Sequence, residues 1–200
     1  MANTDESEGS NNPKNKWAGF SEKWADFDLK LFVENFWSLH LIPSTHASTQ
    51  ASKLLAAIKE DAKLAFESYG GNYGPENIVY FYISGIGRVV EIGDDSIGLA
   101  IDENEDKVQM RLVTGSIEGH AVRDGPGILR FKEFPNQQVY DSISAELNLR
   151  IESEVLPLLQ KLSKVGATIM FAGCAKSFDE GAEPEQQILQ VTPFIVEACP

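Results

Sequence analysis

The sequence predicts an α+β fold: a small antiparallel β-sheet or barrel, a helical segment ahead of it, and one long helix inserted before the last two strands. Three observations carry this. From Ile78 the chain is rich in β-branched and aromatic residues, cut by turn signals roughly every ten residues. Between residues 137 and 163 apolar residues recur at three- and four-residue steps, the period of a helix. Two strand-like runs, ATIMFAGCA and QQILQVTPFIVEA, then close the chain.

Residues 1–16 are rich in Asn, Ser, Glu and Lys, with almost nothing to bury, so they read as disordered. Residues 1–26 form a disordered or extended N-terminal segment, and 27–200 a single domain. Within it, 27–70 is helical. Phe27, Leu31, Phe32, Phe36 and Leu39 make a first stripe, with Asp28 early and Trp37 at its edge. The break IPSTHAS closes on Ser48, which offers a cap for a second helix over 49–68. There Leu54, Leu55, Ile58, Ala62 and Ala65 or Phe66 form one face, and YGGNYGPEN ends the helix.

Residues 77–134 read as a β-meander. IVYFYISGIGRVVEI is its first strand, with Gly85 and Gly87 expected at a bulge or tight bend. The turns GDDS and ENED lead to the strands IGLAID and KVQMRLVTG. The helix over 137–163 carries Val139, Ile143, Leu147, Ile151, Val155, Leu158 and Leu162, and Pro157 predicts a kink near Ser153–Leu156. Strands over 167–198 finish the fold, and Pro193 predicts an edge or the end of regular pairing.

Composition excludes some functions. Seventeen basic residues against 30 acidic ones give a net charge of −13, which opposes a phosphate backbone, so no nucleic-acid partner is expected. No apolar run reaches membrane-spanning length. The first residues show no basic stretch followed by an apolar one, so the chain is either cytoplasmic or written without its signal. Cys174 and Cys199 form no CxxC pair and the three histidines show no ligand spacing, so no metal or cofactor is predicted. A hairpin of the closing strands sets Cys174 near Gln190 with Cys199 well past it, which argues against a disulfide.

The motifs are weak. SGIGRVV lies inside a β run and lacks a third glycine, so it is no dinucleotide loop. Asp102, Asn104 and Asp106 imitate the start of a calcium loop, but Lys107 replaces the required glycine and Val113 the closing glutamate. The distinctive stretch is AVRDGPGILRFKEFPNQQVY, residues 121–140. His120, Arg123 and Asp124 could form an acid–base or anion-binding group; the simpler reading has Asp124 pairing with Arg123 or with backbone amides to hold a turn. Asn136 is a good helix cap, and Gln137 would project from the first turn, where helix amides favour an anion.

The runs FDLKLFVENFWSLHLIP, GIGRVVEIGDDSIGLAID, GSIEGHAVRDG, FKEFPNQQVYDSISAELN and VLPLL occur in that order. Together they resemble the domain-of-unknown-function 2291 family of predicted periplasmic lipoproteins, from about Phe27 to Glu197. The most specific pieces are Gly119, Ala121, Arg123 and Asp124, then Phe134, Asn136 and Gln137. The resemblance implies an OB-like barrel with added helices, a lipid anchor as the only link to a membrane, and a periplasmic or cell-envelope location. Members are often encoded beside sugar ABC transporters, and no activity is established for them. The leading expectation is therefore a non-catalytic accessory or binding protein of a sugar or small-solute transport system. Its partners would be an ABC transporter component or a small solute such as a sugar, with ligand contacts at Arg123, Asp124, Asn136 and Gln137 and no catalytic residues. The alternatives are a small-ligand enzyme using those four residues and a structural protein-interaction module.

Overall fold

The computed structural model of the chain describes Trp17 and residues 27–71, 78–178 and 187–199. The expectations for residues 1–16, for the break after Gly71 and for most of the loop near 178–186 lie outside them.

Seven strands form one sheet: β1 (Thr49–Gln50), β2 (Gly70–Gly71), β3 (Tyr80–Ile92), β4 (Ser96–Ala100), β5 (Met110–Val113), β6 (Thr168–Lys176) and β7 (Leu189–Ala198). Five of them close a barrel in the order β3-β4-β5-β7-β6, with β6 returning to β3. Every pair in the ring is antiparallel except β5 with β7. Within the ring β3 serves two neighbours, Tyr80–Arg88 pairing with β6 and Arg88–Ile92 with β4, and outside the ring β1 and β2 add to it at Tyr80–Ser84. Between β5 and β6 the chain passes through the helices α4 (Ala121–Asp124), α5 (Gln137–Arg150) and α6 (Leu156–Leu162). This is the α+β architecture that the sequence predicted, with the OB-like barrel that the resemblance implied.

Register explains the burial. Side chains alternate across a strand, so Phe81, Ala175 and Val191, which face one another, share one side of the sheet, and Tyr82, Cys174 and Thr192 share the other. Both sides are covered at β6, hence its unbroken buried run from Phe171 to Ala175. On the second side the Tyr82 hydroxyl meets Ser44, Trp37 packs edge-on against Phe194, and Gly125 lies against Cys174. The register sets Cys174 opposite Thr192 rather than Gln190, and both cysteines are free. Pro193 falls at a register shift, past the last β5 pairing at Val191, where no ladder amide is needed.

Several elements differ from expectation. The β-meander ends at Val113, and 114–136 hold only α4 and a 3₁₀ turn at Phe131–Glu133. Gly85 and Gly87 make no bend, since the β3–β6 register runs straight through them and the bulge lies at Val89–Glu91. They allow close approach instead: a Cβ on Gly85 would sit 2.8 Å from the Ala51 Cβ. The helix over 49–68 is two helices, α2 (Ala51–Glu60) and α3 (Ala62–Tyr69), split where Asp61 turns extended and caps α3 through the Leu64 amide. Ser48 caps nothing; its hydroxyl is held by the Thr45 carbonyl and Ser84.

The first helix, α1 (Leu29–Phe36), is capped by Asp28 and continues as a π turn over Trp37–Leu41. Leu31 and Leu39 are exposed, while Val33, Trp37 and Leu41 are buried beside Phe32 and Phe36. The long helix also carries a π turn, Ile151–Val155, closed by the Leu156 amide on the Ile151 carbonyl. The kink predicted from Pro157 takes this form, because proline has no amide for the carbonyl four residues back. The wider turn keeps Ile143, Leu147, Ile151, Val155 and Leu159 on one buried face at constant four-residue spacing, and Leu158 turns outward. Trp17, placed by the sequence outside the domain, is buried edge-on against Phe32, Phe36 and His40 and donates to Glu133.

Candidate functional site

The stretch from residue 116 to residue 141 joins β5 to α5, and its polar groups converge on each other. Arg123 and Asp124 end α4 and are 1% and 2% exposed. The guanidinium forks onto its own neighbour, Nε to Asp124 Oδ1 at 2.8 Å and Nη2 to Oδ2 at 3.0 Å. Nη1 donates to the Tyr140 carbonyl and to Asp141 Oδ1 at 2.9 Å. The Tyr140 ring lies 3.7 Å beneath the guanidinium carbon, and its hydroxyl donates to Asp124 at 2.8 Å. Burial opposes the Arg123 charge, but the hydrogen bonds and charge of Asp124, with Asp141, outweigh it and hold the pKa above its ordinary value. Burial, then the Asp124 charge, also pushes up the Tyr140 hydroxyl and the neighbouring Cys174 thiol, so neither is a ready nucleophile.

A second set of contacts fixes the approach to this corner. Ser144, Asn148 and Glu152 stand four residues apart along α5 and the π turn after it. Ser144 donates to the Gly119 carbonyl, Asn148 to the Gly119 and Ile117 carbonyls, and Glu152 accepts from the Ile117 amide at 2.7 Å. One helix face thus holds the segment 117–119 by its backbone, satisfying groups that a loop leaves unmet. Sequence reading missed this row, because polar residues at helical spacing look like a solvated face. Gly119, at φ +83°, supplies the left-handed turn that leads into α4.

The remaining predicted residues lie at the far end of the corner. Asn136 accepts from the Val139 amide and caps α5. Gln137 is exposed on the first turn of that helix. The four predicted ligand contacts therefore do not share a cleft: two are buried against each other, one caps a helix and one faces solvent. His120 lines a groove of about 430 Å³ over α5 and a cleft of about 240 Å³ beside β7, neither of which Arg123, Asp124, Asn136 or Gln137 lines.

Asp102 accepts from the Asn104 amide and Asp106 pairs with Arg88, as residues of a hairpin turn do. Among the described residues no group of three His, Cys, Asp or Glu side chains is placed to hold a metal ion, and no helix is long and apolar enough to cross a membrane.

Comparison with known proteins decides the family. The model of the family described as predicted periplasmic lipoprotein, DUF2291, matches residues 4–197. The chain belongs to this family. Its fold is also that of a solved structure, an OB-fold protein from Thermotoga maritima, with a TM-score of 0.73 and 24% identity over 86% of this chain and 99% of that one. No curated protein matches the chain. Of the residues that carried the sequence resemblance, Gly119, Ala121, Arg123 and Asp124 build α4 and its entry, Phe134 ends the 3₁₀ turn, and Asn136 and Gln137 start α5.

Proposed function

We propose that the chain is a non-catalytic accessory or binding protein of the cell envelope, lipoprotein-derived and serving a sugar or small-solute transport system. The observation that carries the non-catalytic part is the closure of the Arg123 corner on itself. An enzyme acting through Arg123, Asp124, Asn136 and Gln137 would have to expose a guanidinium with four donated hydrogen bonds and a carboxylate that shares two of them. The envelope location draws on the family's description, and the transport part on what the sequence resemblance implies.

One feature favours the protein-contact reading as a second. On the outside of the barrel Ile86 and Met170 face each other across β3 and β6, 52% and 38% exposed, above a cleft of about 470 Å³ rimmed by His46, Gln50, Ser84 and Glu197. An exposed apolar floor with a polar rim marks a contact surface.

The test is uptake of a panel of labelled sugars and small solutes in cells lacking the gene. Selective loss for one solute class, restored by the wild-type gene and by Gln137→Ala, is the expected result. Unchanged uptake across the panel counts against the transport part.

A further inference from the structure

The barrel has a seam. β5 and β7 are paired only over Met110–Leu112 against Leu189–Val191, and beyond that pairing Val113 and Thr192 line the 240 Å³ cleft. Glu118, His120, Lys176 and Gln190 also line it. The Glu118, Lys176, Gln190 and Thr192 side chains make no hydrogen bond or ion pair with any described residue. The wall bearing Glu118 and His120 is preorganised, because Ser144, Asn148 and Glu152 hold its backbone through Ile117 and Gly119.

His120 adds an independent observation. Its Nδ1 is the sole buried side-chain polar atom without a hydrogen-bond partner among the described residues. In a neutral ring a proton on Nδ1 would be buried without an acceptor, so the tautomer with its proton on Nε2 is the one that leaves no buried donor unmet. Nε2 has no partner among the described residues and is not buried, so in that tautomer it is available as a donor. The cleft thus offers an ammonium, a ring N–H, an amide and a hydroxyl, with a single carboxylate among them.

We propose that this seam cleft binds a small zwitterion carrying a carboxylate and an ammonium, the chemistry of a free amino acid. Lys176 and His120 Nε2 take the ligand carboxylate, assisted by Thr192 and Gln190, and Glu118 takes its ammonium. One unpaired cation and one unpaired anion in a single cleft complement such a ligand better than an uncharged one. The inference rests on the small-solute part of the preceding reading and goes beyond it in placing the site and naming the charge pattern.

The test is NMR of the chain labelled at its histidine rings, with the His120 signal assigned through His120→Gln. L-serine is the probe, and acetate and glycerol are the controls. The expected result is a saturable His120 shift with L-serine, about tenfold weaker with acetate and absent with glycerol. Lys176→Met and Glu118→Gln, both at exposed positions, each weaken L-serine binding by about tenfold, one charge-assisted contact apiece. No saturable shift with L-serine, an equal response to glycerol, or indifference to both substitutions overturns the proposal. Loss of solute uptake on gene deletion, found together with no binding here, rejects this site and leaves the transport reading standing.

Discussion

A guanidinium costs a great deal to bury, and Arg123 tolerates it because Asp124, Asp141 and the Tyr140 carbonyl answer four of its donors. Arg123→Ala leaves Asp124 buried without its counter-ion and is expected to destabilise the fold by about 3–5 kcal/mol in chemical denaturation. Gln137→Ala, at an exposed position on the first turn of α5, should stay within about 0.5 kcal/mol. Equal effects at both would remove the architectural reading of the corner. The pairing of Arg123 with Asp124 was legible because the two are adjacent. The roles of Tyr140 and Asp141 were not, because they lie one helix turn inside α5 and only the folded corner returns them to α4. Tyr82 gives a second prediction at this scale. Burial pushes its hydroxyl from 10.0 up to about 12, against the Ser44 hydrogen bond that lowers it. The unfolded chain therefore loses this proton first as pH rises, so the contribution is intact below pH 10 and fades between pH 10 and about 12. Melting temperatures across that window should fall more gently for Tyr82→Phe than for the wild type, and parallel curves would contradict this.

Among the elements, those set by local chemistry were readable and those set by distant partners were not. The closing strands, the Asn136 cap and the disturbance ahead of Pro157 each follow from residues within a few positions. The closure of β6 onto β3 and the parallel meeting of β5 with β7 depend on pairs about eighty residues or more apart, which periodicity does not encode. The two glycines of β3 show the same limit. A glycine in a strand signals either a bend or a close approach, and the neighbour that decides, Ala51, belongs to another element. Gly85→Ala should thus act by pushing α2 off β3, at a cost of about 1–3 kcal/mol, the usual penalty for overpacking. Gly119→Ala meets nothing within 4 Å, and its cost of roughly 1–2 kcal/mol comes from the left-handed backbone alone. Asparagine tolerates that backbone, so Gly119→Asn should recover part of the loss while Gly85→Asn should be worse than Gly85→Ala. Measured unfolding free energies for the four variants check the order.

At the scale of the whole molecule, charge decides which uses of this barrel are open. OB-folds bind oligonucleotides through the outer face of their second and third strands, with aromatic side chains under the bases and cations along the backbone. Here those strands are β4 and β5, SIGLA and MRLV, and neither carries an aromatic residue. Gly98 is covered by Val108, and Arg111, the one cation on the two strands, is paired with Glu91 at 2.7 Å. A net charge of −13 adds long-range repulsion of phosphate. Single-stranded DNA or RNA should therefore show no mobility shift with this protein even at low salt, where electrostatic binding is strongest. The same excess charge makes the fold repel itself. Raising the salt from about 10 mM to about 150 mM shortens the Debye length from about 30 Å to about 8 Å, which screens this repulsion. The exposed Arg88–Asp106 and Arg150–Glu154 pairs lose little, since pairs of that kind contribute at most about 1 kcal/mol each. The buried Arg123 cluster is shielded from salt by the fold around it. The melting temperature should consequently rise with salt over this range, and a fall would mean that paired charges, rather than the unpaired acidic excess, dominate the electrostatics of the folded state.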